Sequence, residues 1–479
     1  MTIVGQLAEL TRKTRFEDLP GQVVEECKRL TLDALGCAVS GHATLKGRAG
    51  VEFGRLMGGA DDSAVVIGSP YRTSTFGAAF ANGELINALD FDPILPPGHV
   101  TPYVLPGALA TGEAEHADGK TLITAIAIAH EISCRIGRSM DSLRELVDGE
   151  HAMPAVFGYS STVFGATAAI GRVKGYSADA LIDALSIAGL TAPVNAFRPW
   201  AMHAPPTTIK YLAAGVLAQT AMTAAHMAEL GHRGDAKILD DAEFGFPRYI
   251  GTSRWEPGFI VDELGKSWRF PLELSYRPYP HARSTHATLD ALTQIVTAND
   301  LDPQEIDAIR AWGEPFAASY PAWQNRVIEH PQDALYSVAY ALALGAHRVP
   351  PGRAWQVPDI VFSESVELLA ARCTFHAHPD YTASIATDPA SRPTRVEVDA
   401  HGATYVAECR YPYGSPSPDP STTMSTADIV DKFRSNTRGL LEPSAIEQAQ
   451  YAVLNLESVT DIGDVMRLFT QTTAADSVN

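Results

Sequence analysis

Five long runs in the first half of the chain keep helical spacing while being built largely from alanine, glycine and other small residues. They are Thr75 to Leu89, Lys120 to Met140, Ser161 to Arg172, Ala180 to Leu190 and Thr207 to Leu230. Small side chains let helices approach closely, so such runs belong in a buried multi-helix body. Residues 1–40 extend the pattern, with Val23, Val24, Cys27, Leu30, Thr31, Ala34 and Leu35 at i, i+3/i+4 spacing and Gly36 and Gly41 as the expected stop. Near Trp268 the character changes. The segment from Trp268 to Pro278 alternates like a strand, as do Ile306 to Trp312 and Arg395 to Arg410, the last reading as a hairpin around Ala400-His401-Gly402. Helical runs lie between them at Thr285 to Asn299, Asp333 to Leu344 and Ser363 to Arg372, and helix resumes from Thr426 after the Pro-rich connection 411–421. The expectation is a mostly α protein: an all-helical domain from residues 1–266 together with 412–479, and an α+β domain from 267–411.

Chemistry concentrates in ALDFDPILPPGHVTPYVLPGALA, residues 88–110. Asp90 and Asp92 precede a Pro-rich loop that carries His99, and an apolar run follows at once. Two acids and a histidine within ten residues suit proton transfer at neutral pH; a plain helix–loop–helix joint capped by aspartates would use the same residues. Three further places stand out. The Gly, Tyr, Ser and Thr cluster at 157–171, with Tyr159, Ser160 and Ser161, opens a helix whose N–H groups suit a carboxylate or serve ordinary capping. Lys210 stands alone among small and apolar residues, either as a desolvated base or carboxylate anchor, or with its ammonium reaching solvent. SYRPYPHARSTH, residues 275–286, brings Arg277, His281, Arg283 and His286 to the junction of the two parts, where sites gather.

A net charge of −19 argues against nucleic acid and anionic membrane partners, so an anionic substrate would need a local positive island. No charge-free run has membrane-spanning length. The start, MTIVGQLAELTRKTRFEDLP, reads as an amphipathic helix and not a signal peptide, which leads to a cytoplasmic expectation. The five cysteines, Cys27, Cys37, Cys134, Cys373 and Cys409, have neither disulfide-framework nor zinc spacing. Phosphate-cradling, nucleophile-elbow and HExxH motifs are missing, so no cofactor or metal is expected.

These places, in this order, resemble the MmgE/PrpD family across nearly the whole chain, from LTLDALGCAVSG to DKFRSNT. His99, five residues before Val104-Leu105-Pro106, is the most specific match. IKYLAAGVLA is similar to the segment that carries the family's active-site lysine, which falls on Lys210, and YRPYPHARSTHATLDA aligns His286 with a closing histidine. The sequence departs from the pattern twice. Tyr159, six residues before Gly165, stands where many relatives have a catalytic histidine, and Ala282 stands where cysteine or histidine is common, with His281 one place earlier.

The resemblance implies a large helical domain with a smaller α+β lid, a site between them, a homodimer, and no metal or organic cofactor. It also implies a lyase, dehydratase or decarboxylase, acting on a small di- or tricarboxylate by proton abstraction next to a carboxylate. His99 would be the general acid/base, oriented by Asp90 or Asp92. Lys210 would hold a carboxylate and Tyr159 would donate a proton. Arg277 or Arg283 would grip another carboxylate, with His281, His286, Ser160 and Ser161 on the substrate side. An epimerase using the same groups, or a carboxylate-binding homologue without activity, are the other readings.

Overall fold

In the computed structural model, residues 1–473 are described apart from Ala60, Glu145, Asp148, Gly149 and Ala152, with the backbone alone for Val147, Glu150 and His151. Ten helices form the N-terminal body: α1 (Ile3–Lys13), α2 (Gly21–Gly41), α3 (Leu45–Gly58), α4 (Thr75–Asn87), α5 (Thr101–Ala114), α6 (Gly119–Arg138), α7 (Thr162–Val173), α8 (Ala178–Thr191), α9 (Phe197–Met202) and α10 (Ala214–Glu229). Side-chain oxygens of Thr2, Thr44, Ser74, Asp118 and Ser177 accept from the first-turn amides of α1, α3, α4, α6 and α8, satisfying donors a helix start leaves open.

The helices α4 and α5 are largely apolar and have no exposed polar stripe, and Gly77–Asn87 and Thr101–Glu113 are buried without a break. A helix with no polar stripe belongs in the middle of a body, and here α3, α10, α2 and α7 surround the pair. Glycine sets the closest approach. A Cβ on Gly54 of α3 would lie 2.6 Å from the Gly77 carbonyl oxygen, and one on Gly77 would lie 2.3 Å from that of Gly54. The segment joining α4 to α5, residues 88–100, is therefore held between the two most enclosed helices, and most of it is buried.

A four-stranded sheet lies in the later sequence, in the order β10 (Ala403–Cys409), β9 (Thr394–Ala400), β7 (Ile306–Gly313), β8 (Cys373–Ala377). Only β7 and β8 pair in parallel. Thr394, Val396, Val398 and Ala400 of β9 are buried at every second position, and the helix His286–Ala298 covers β9 and β10. Six two-residue strands make small ribbons: β1 (Ala64–Val65) with β2 (Arg72–Thr73), β3 (Ile94–Leu95) with β4 (Gly98–His99), and β5 (Leu146–Val147) with β6 (Glu150–His151). The tail returns to the helical body. Helices Thr426–Thr437 and Pro443–Leu454 pack on α2, and Ile462–Leu468 packs on α5. The molecule is mostly α with a smaller α+β part. Among the described residues no helix is long and apolar enough to cross a membrane.

Several local expectations change. Gly36 does not end α2, which runs to Gly41; a Cβ there would meet the Phe433 ring at 3.1 Å, so the glycine makes room for the tail helix. The run from Thr207 is not helical until Ala214. The Thr207 hydroxyl donates to the Lys210 carbonyl at 2.6 Å and closes a turn first. Trp268 to Pro278 forms a short helix, Phe270–Glu273, and then one antiparallel bridge in which Ser275 exchanges both backbone hydrogen bonds with Ile94. A two-residue ribbon offers no edge for a longer strand. The helix expected over Asp333 to Leu344 breaks at Tyr336-Ser337, where the Ser337 hydroxyl caps Val338–Ala346.

Candidate active site

The α4–α5 joint fixes the first three groups. Asn87 closes α4, and Asp90 takes a left-handed backbone with φ of 52°. The chain then runs through Asp92 into the β3–β4 ribbon, where Ile94 is paired with His99. That return folds His99 back over the acids: its Nδ1–H donates to Asp92 Oδ2 at 2.7 Å, and Asn87 Nδ2 lies 3.4 Å from the other Asp92 oxygen. With Nδ1 committed, Nε2 is the nitrogen left to face the rest of the cluster. It lies 3.2 Å from Asp90 Oδ1 and 3.4 Å from Arg277 Nη2. One neighbour accepts and the other donates, so Nε2 has a partner whether or not it carries the proton.

Two cations from distant segments converge on Asp90. Lys210 Nζ donates to Oδ1 at 2.5 Å, and Arg277 Nη1 reaches Oδ2 at 2.8 Å and also the Asp90 carbonyl. Lys210 is 2% exposed, which settles its direction: it points inward and not to solvent. Its backbone φ is 61°. Left-handed φ at a non-glycine costs about 1 kcal/mol or more and persists only where the surroundings enforce it, so two residues of one charged cluster are both held against their local preference.

Burial by itself would raise the Asp90 carboxyl, but Arg277, Lys210 and His99 outweigh it and hold it well below the usual carboxylate range. Asp92 is likewise lowered, with burial opposed chiefly by His99. Lys210 is moved down by burial, against the pull of Asp90 and Asp92. The centre thus places two carboxylates and two cations around the His99 imidazole.

An aromatic wall closes one side. The Tyr159 ring is 6.1 Å from His99, centroid to centroid, and stacks on Tyr211 at 4.7 Å. Burial pushes the Tyr159 phenol well up, so it keeps its proton. Gly98 makes this approach possible: with φ of 146°, it lies where a Cβ would sit 2.5 Å from Tyr159 Cε1.

The remaining candidates go elsewhere. His281 hydrogen-bonds Thr285 Oγ1 at 2.7 Å and the Ser337 carbonyl at 3.3 Å, which occupies both ring nitrogens. His286 Nε2 is held by the His281 carbonyl at 3.0 Å. Arg283 donates to Ser275 Oγ at 2.9 Å and not to the Asp90 centre. The Ser161 hydroxyl turns back to the Gly158 carbonyl, and Ser160 is fully buried; no hydrogen bond joins either to His99 or the acids.

Sequence reasoning missed three supports. Asn87 has no motif to mark it. Asp33 and Lys432 are 2.8 Å apart, and Lys432 Nζ donates to the Phe91 carbonyl at 2.7 Å while lying 3.8 Å from the Phe91 ring centroid. Phe91 is the residue between the two acids. The available signal was an aspartate inside the apolar run LTLDALG. Among the described residues, no group of three or more His, Cys, Asp or Glu side chains is arranged to hold a metal ion.

A surface cleft of about 540 Å³, lined by Leu10, Val261 and Trp268 together with Glu9, Lys13, Asp18, Glu263 and Lys266, shares no residue with this centre.

Comparison with known proteins follows the same layout. The chain is 26% identical to the cis-aconitate decarboxylase of Homo sapiens over 96% of its own length and 93% of that protein. It is 23% identical to the cis-aconitate decarboxylase of Aspergillus terreus, with 97% and 95% covered. A cis-aconitate decarboxylase-like protein of Aspergillus oryzae is 22% identical, with 97% of each chain covered. The names of these relatives support a lyase of the decarboxylase type as chemistry found in the family. Residues 5–257 match the MmgE/PrpD N-terminal domain and residues 279–458 the MmgE/PrpD C-terminal domain, and the chain belongs to the MmgE/PrpD family.

Proposed function

We propose that the protein is a lyase that removes carbon dioxide from a small unsaturated di- or tricarboxylate of the cis-aconitate type, using side chains alone. The observation that carries this is His99, oriented by Asp92 with Nε2 facing Asp90 and Arg277 inside a sealed, charge-paired centre. In the step proposed, the bond to the departing carboxylate breaks and its electron pair stays on carbon, spread into the neighbouring double bond and carboxylate. His99 Nε2–H delivers a proton to that carbon, and solvent restores it. Lys210 and Arg277 stabilise the charge that develops on the remaining carboxylate. The aromatic wall at Tyr159 and Tyr211 favours departure, because a carboxylate is costly in apolar surroundings and carbon dioxide is not. Dehydration would use the same His99 as base, with a hydroxyl leaving in place of carbon dioxide.

One observation favours a second reading. Tyr159 lies beside His99 and keeps its proton, so the two could serve opposite faces of a carbon in an epimerase. A panel of citrate, cis-aconitate and an imino-diacid, with products read by mass spectrometry, separates these readings. Loss of 44 mass units, that of carbon dioxide, is expected in about one equivalent per turnover. Deuterium uptake from solvent at otherwise constant mass would replace the lyase with the epimerase. Thermal stabilisation by every compound without any product would leave a binding protein.

A further inference from the structure

A polycarboxylate brings more negative charge than the Asp90 centre can answer. Both cations there already face carboxylates: Lys210 and Arg277 contact Asp90, and Asp92 holds His99. A second group of cations lies close by. Arg144 Nη2 reaches Glu314 Oε1 at 2.9 Å, and Arg392 Nε approaches the same oxygen at 3.6 Å, too far for a hydrogen bond. Arg283 comes from the turn before the helix His286–Ala298 and stands within electrostatic range of all three. Among the described residues, these guanidinium groups face the Glu314 carboxylate, with Asp388 also acting on Arg392. The Nε–H groups of Arg144, Arg283 and Arg392 are buried without an acceptor, and Glu314 Oε2 is buried without a donor, so the cluster holds polar atoms whose hydrogen bonds are unmade, which is costly unless a group arrives to complete them. In a chain of net charge −19 this is the positive island that an anionic substrate requires.

The ribbon at the site connects the two groups. Ile94 pairs with His99 on one side and with Ser275 on the other, and Arg283 Nη1 donates to Ser275 Oγ at 2.9 Å. Directly opposed residues in antiparallel pairing project to one face. His99 and Ser275 therefore leave the ribbon on the same side, roughly 10 Å apart at two strand spacings. Added to the reach of an arginine, a small polycarboxylate bridges that gap.

We propose that Arg144, Arg283 and Arg392 form a carboxylate subsite that binds the arm of the substrate remote from the reacting carbon, while His99 and Lys210 work at the other end. The proposal rests on the lyase reading only for the identity of that arm. Arg144 follows α6 of the helical body, whereas Arg283 and Arg392 come from segments next to the sheet, so the subsite draws on both parts of the chain. Burial, and then the neighbouring guanidiniums, lower Arg283 and Arg392 from the usual arginine range, against the pull of Glu314.

The test is Arg283→Gln, with Arg283→Lys as its conservative partner, because Arg283 does not brace the backbone as Arg392 does through the Pro389 carbonyl. Two readouts are needed. Tricarballylate, a saturated tricarboxylate, should raise the melting temperature of the wild-type protein, and Arg283→Gln should abolish most of that shift while Arg283→Lys keeps part of it. On the substrate found in the panel, Arg283→Gln should raise KM by about tenfold or more with kcat within about threefold, the effect of losing one charge-assisted contact. If the variant unfolds, Arg144→Gln is read in the same way.

An unchanged tricarballylate shift or an unchanged KM would overturn the subsite. So would inorganic phosphate stabilising the protein through Arg283 without competing with tricarballylate, since that would be a separate anion site. If no compound in the panel is turned over, the tricarballylate arm still reads the subsite, so its failure and that of the lyase reading remain distinct.

Discussion

His99 and His281 are both buried histidines beside a proline-containing turn, and both nitrogens of each ring have a partner. The partners differ. His99 faces two carboxylates and an arginine, whereas His281 faces a threonine hydroxyl and a backbone carbonyl. Neutral oxygens give a buried imidazole little reason to take a proton, and burial holds His281 down at about 4. The comparison teaches that burial alone makes a histidine structural, and that charged partners which compete for its proton make it a candidate for chemistry.

The widest gap between the two should be in turnover. His99→Gln is expected to lower kcat by about 10³-fold, in the range that general acid/base groups contribute, with folding intact by circular dichroism. His281→Gln should leave kcat within a few-fold. Equal losses in both would end the distinction.

Next in size is the carboxylate that ties the centre together. Asp90→Asn leaves Lys210 and Arg277 buried without their common anion, and breaking a buried pair from one side costs about 3–5 kcal/mol. Urea denaturation should show that loss alongside lost activity. A stability change below about 1 kcal/mol would mean that water solvates the centre, in conflict with its burial.

The third contrast is acid sensitivity. An unfolded chain protonates His281 near pH 6.5, whereas the folded one resists until about 4. The unfolded state therefore binds more protons between those values. Stability is full above about pH 6.5, falls as pH drops, and levels off below about pH 4, a loss on the order of 3 kcal/mol. His281→Gln should flatten part of that slope. His130, also held at about 4 by burial, keeps another part. A slope identical to wild type would remove His281 from the account.

The last expected effect concerns positioning from behind the site. Lys432→Met removes the donor to the Phe91 carbonyl and keeps a long side chain over the Phe91 ring, but it also leaves Asp33 buried without its cation, so a loss of stability accompanies the kinetic effect and turnover is read below the melting transition. Turnover should fall by about tenfold with KM nearly unchanged, as for loosened positioning. A raised KM with unchanged kcat would show that Lys432 serves binding.

What the sequence disclosed follows from which physics is local. Helix type and the β9–β10 hairpin are written in periodicity, which needs only near neighbours. Asp90, Asp92 and His99 were legible because thirteen residues of loop hold them all. Lys210 was legible as a residue but not in its setting: the pattern of small residues continued a helix backward through Thr207, while tertiary contacts with Asp90 required a left-handed turn. In SYRPYPHARSTH the residue types mark a polar junction, yet Arg277 and Arg283, six positions apart, enter different charge clusters. That choice depends on the Ser275–Ile94 bridge, a contact across about 180 residues that no local pattern encodes. Strand β8 has only five residues, and its alternation of Cys373 and Phe375 with Thr374 and His376 is too short to stand out.

The contact between Lys432 and Phe91 also has a bearing on synthesis. A chain emerging from the ribosome presents its acids and His99 hundreds of residues before the lysine that steadies them, at a rate of roughly 5–20 residues per second. For many seconds the helical body can assemble around α4 and α5 while Asp33 waits, buried or exposed, for a cation that has not yet been made. A release series truncated before and after Lys432 would then gain organised chemistry late and in one step. The nascent chain would acquire its fold gradually and its competence last.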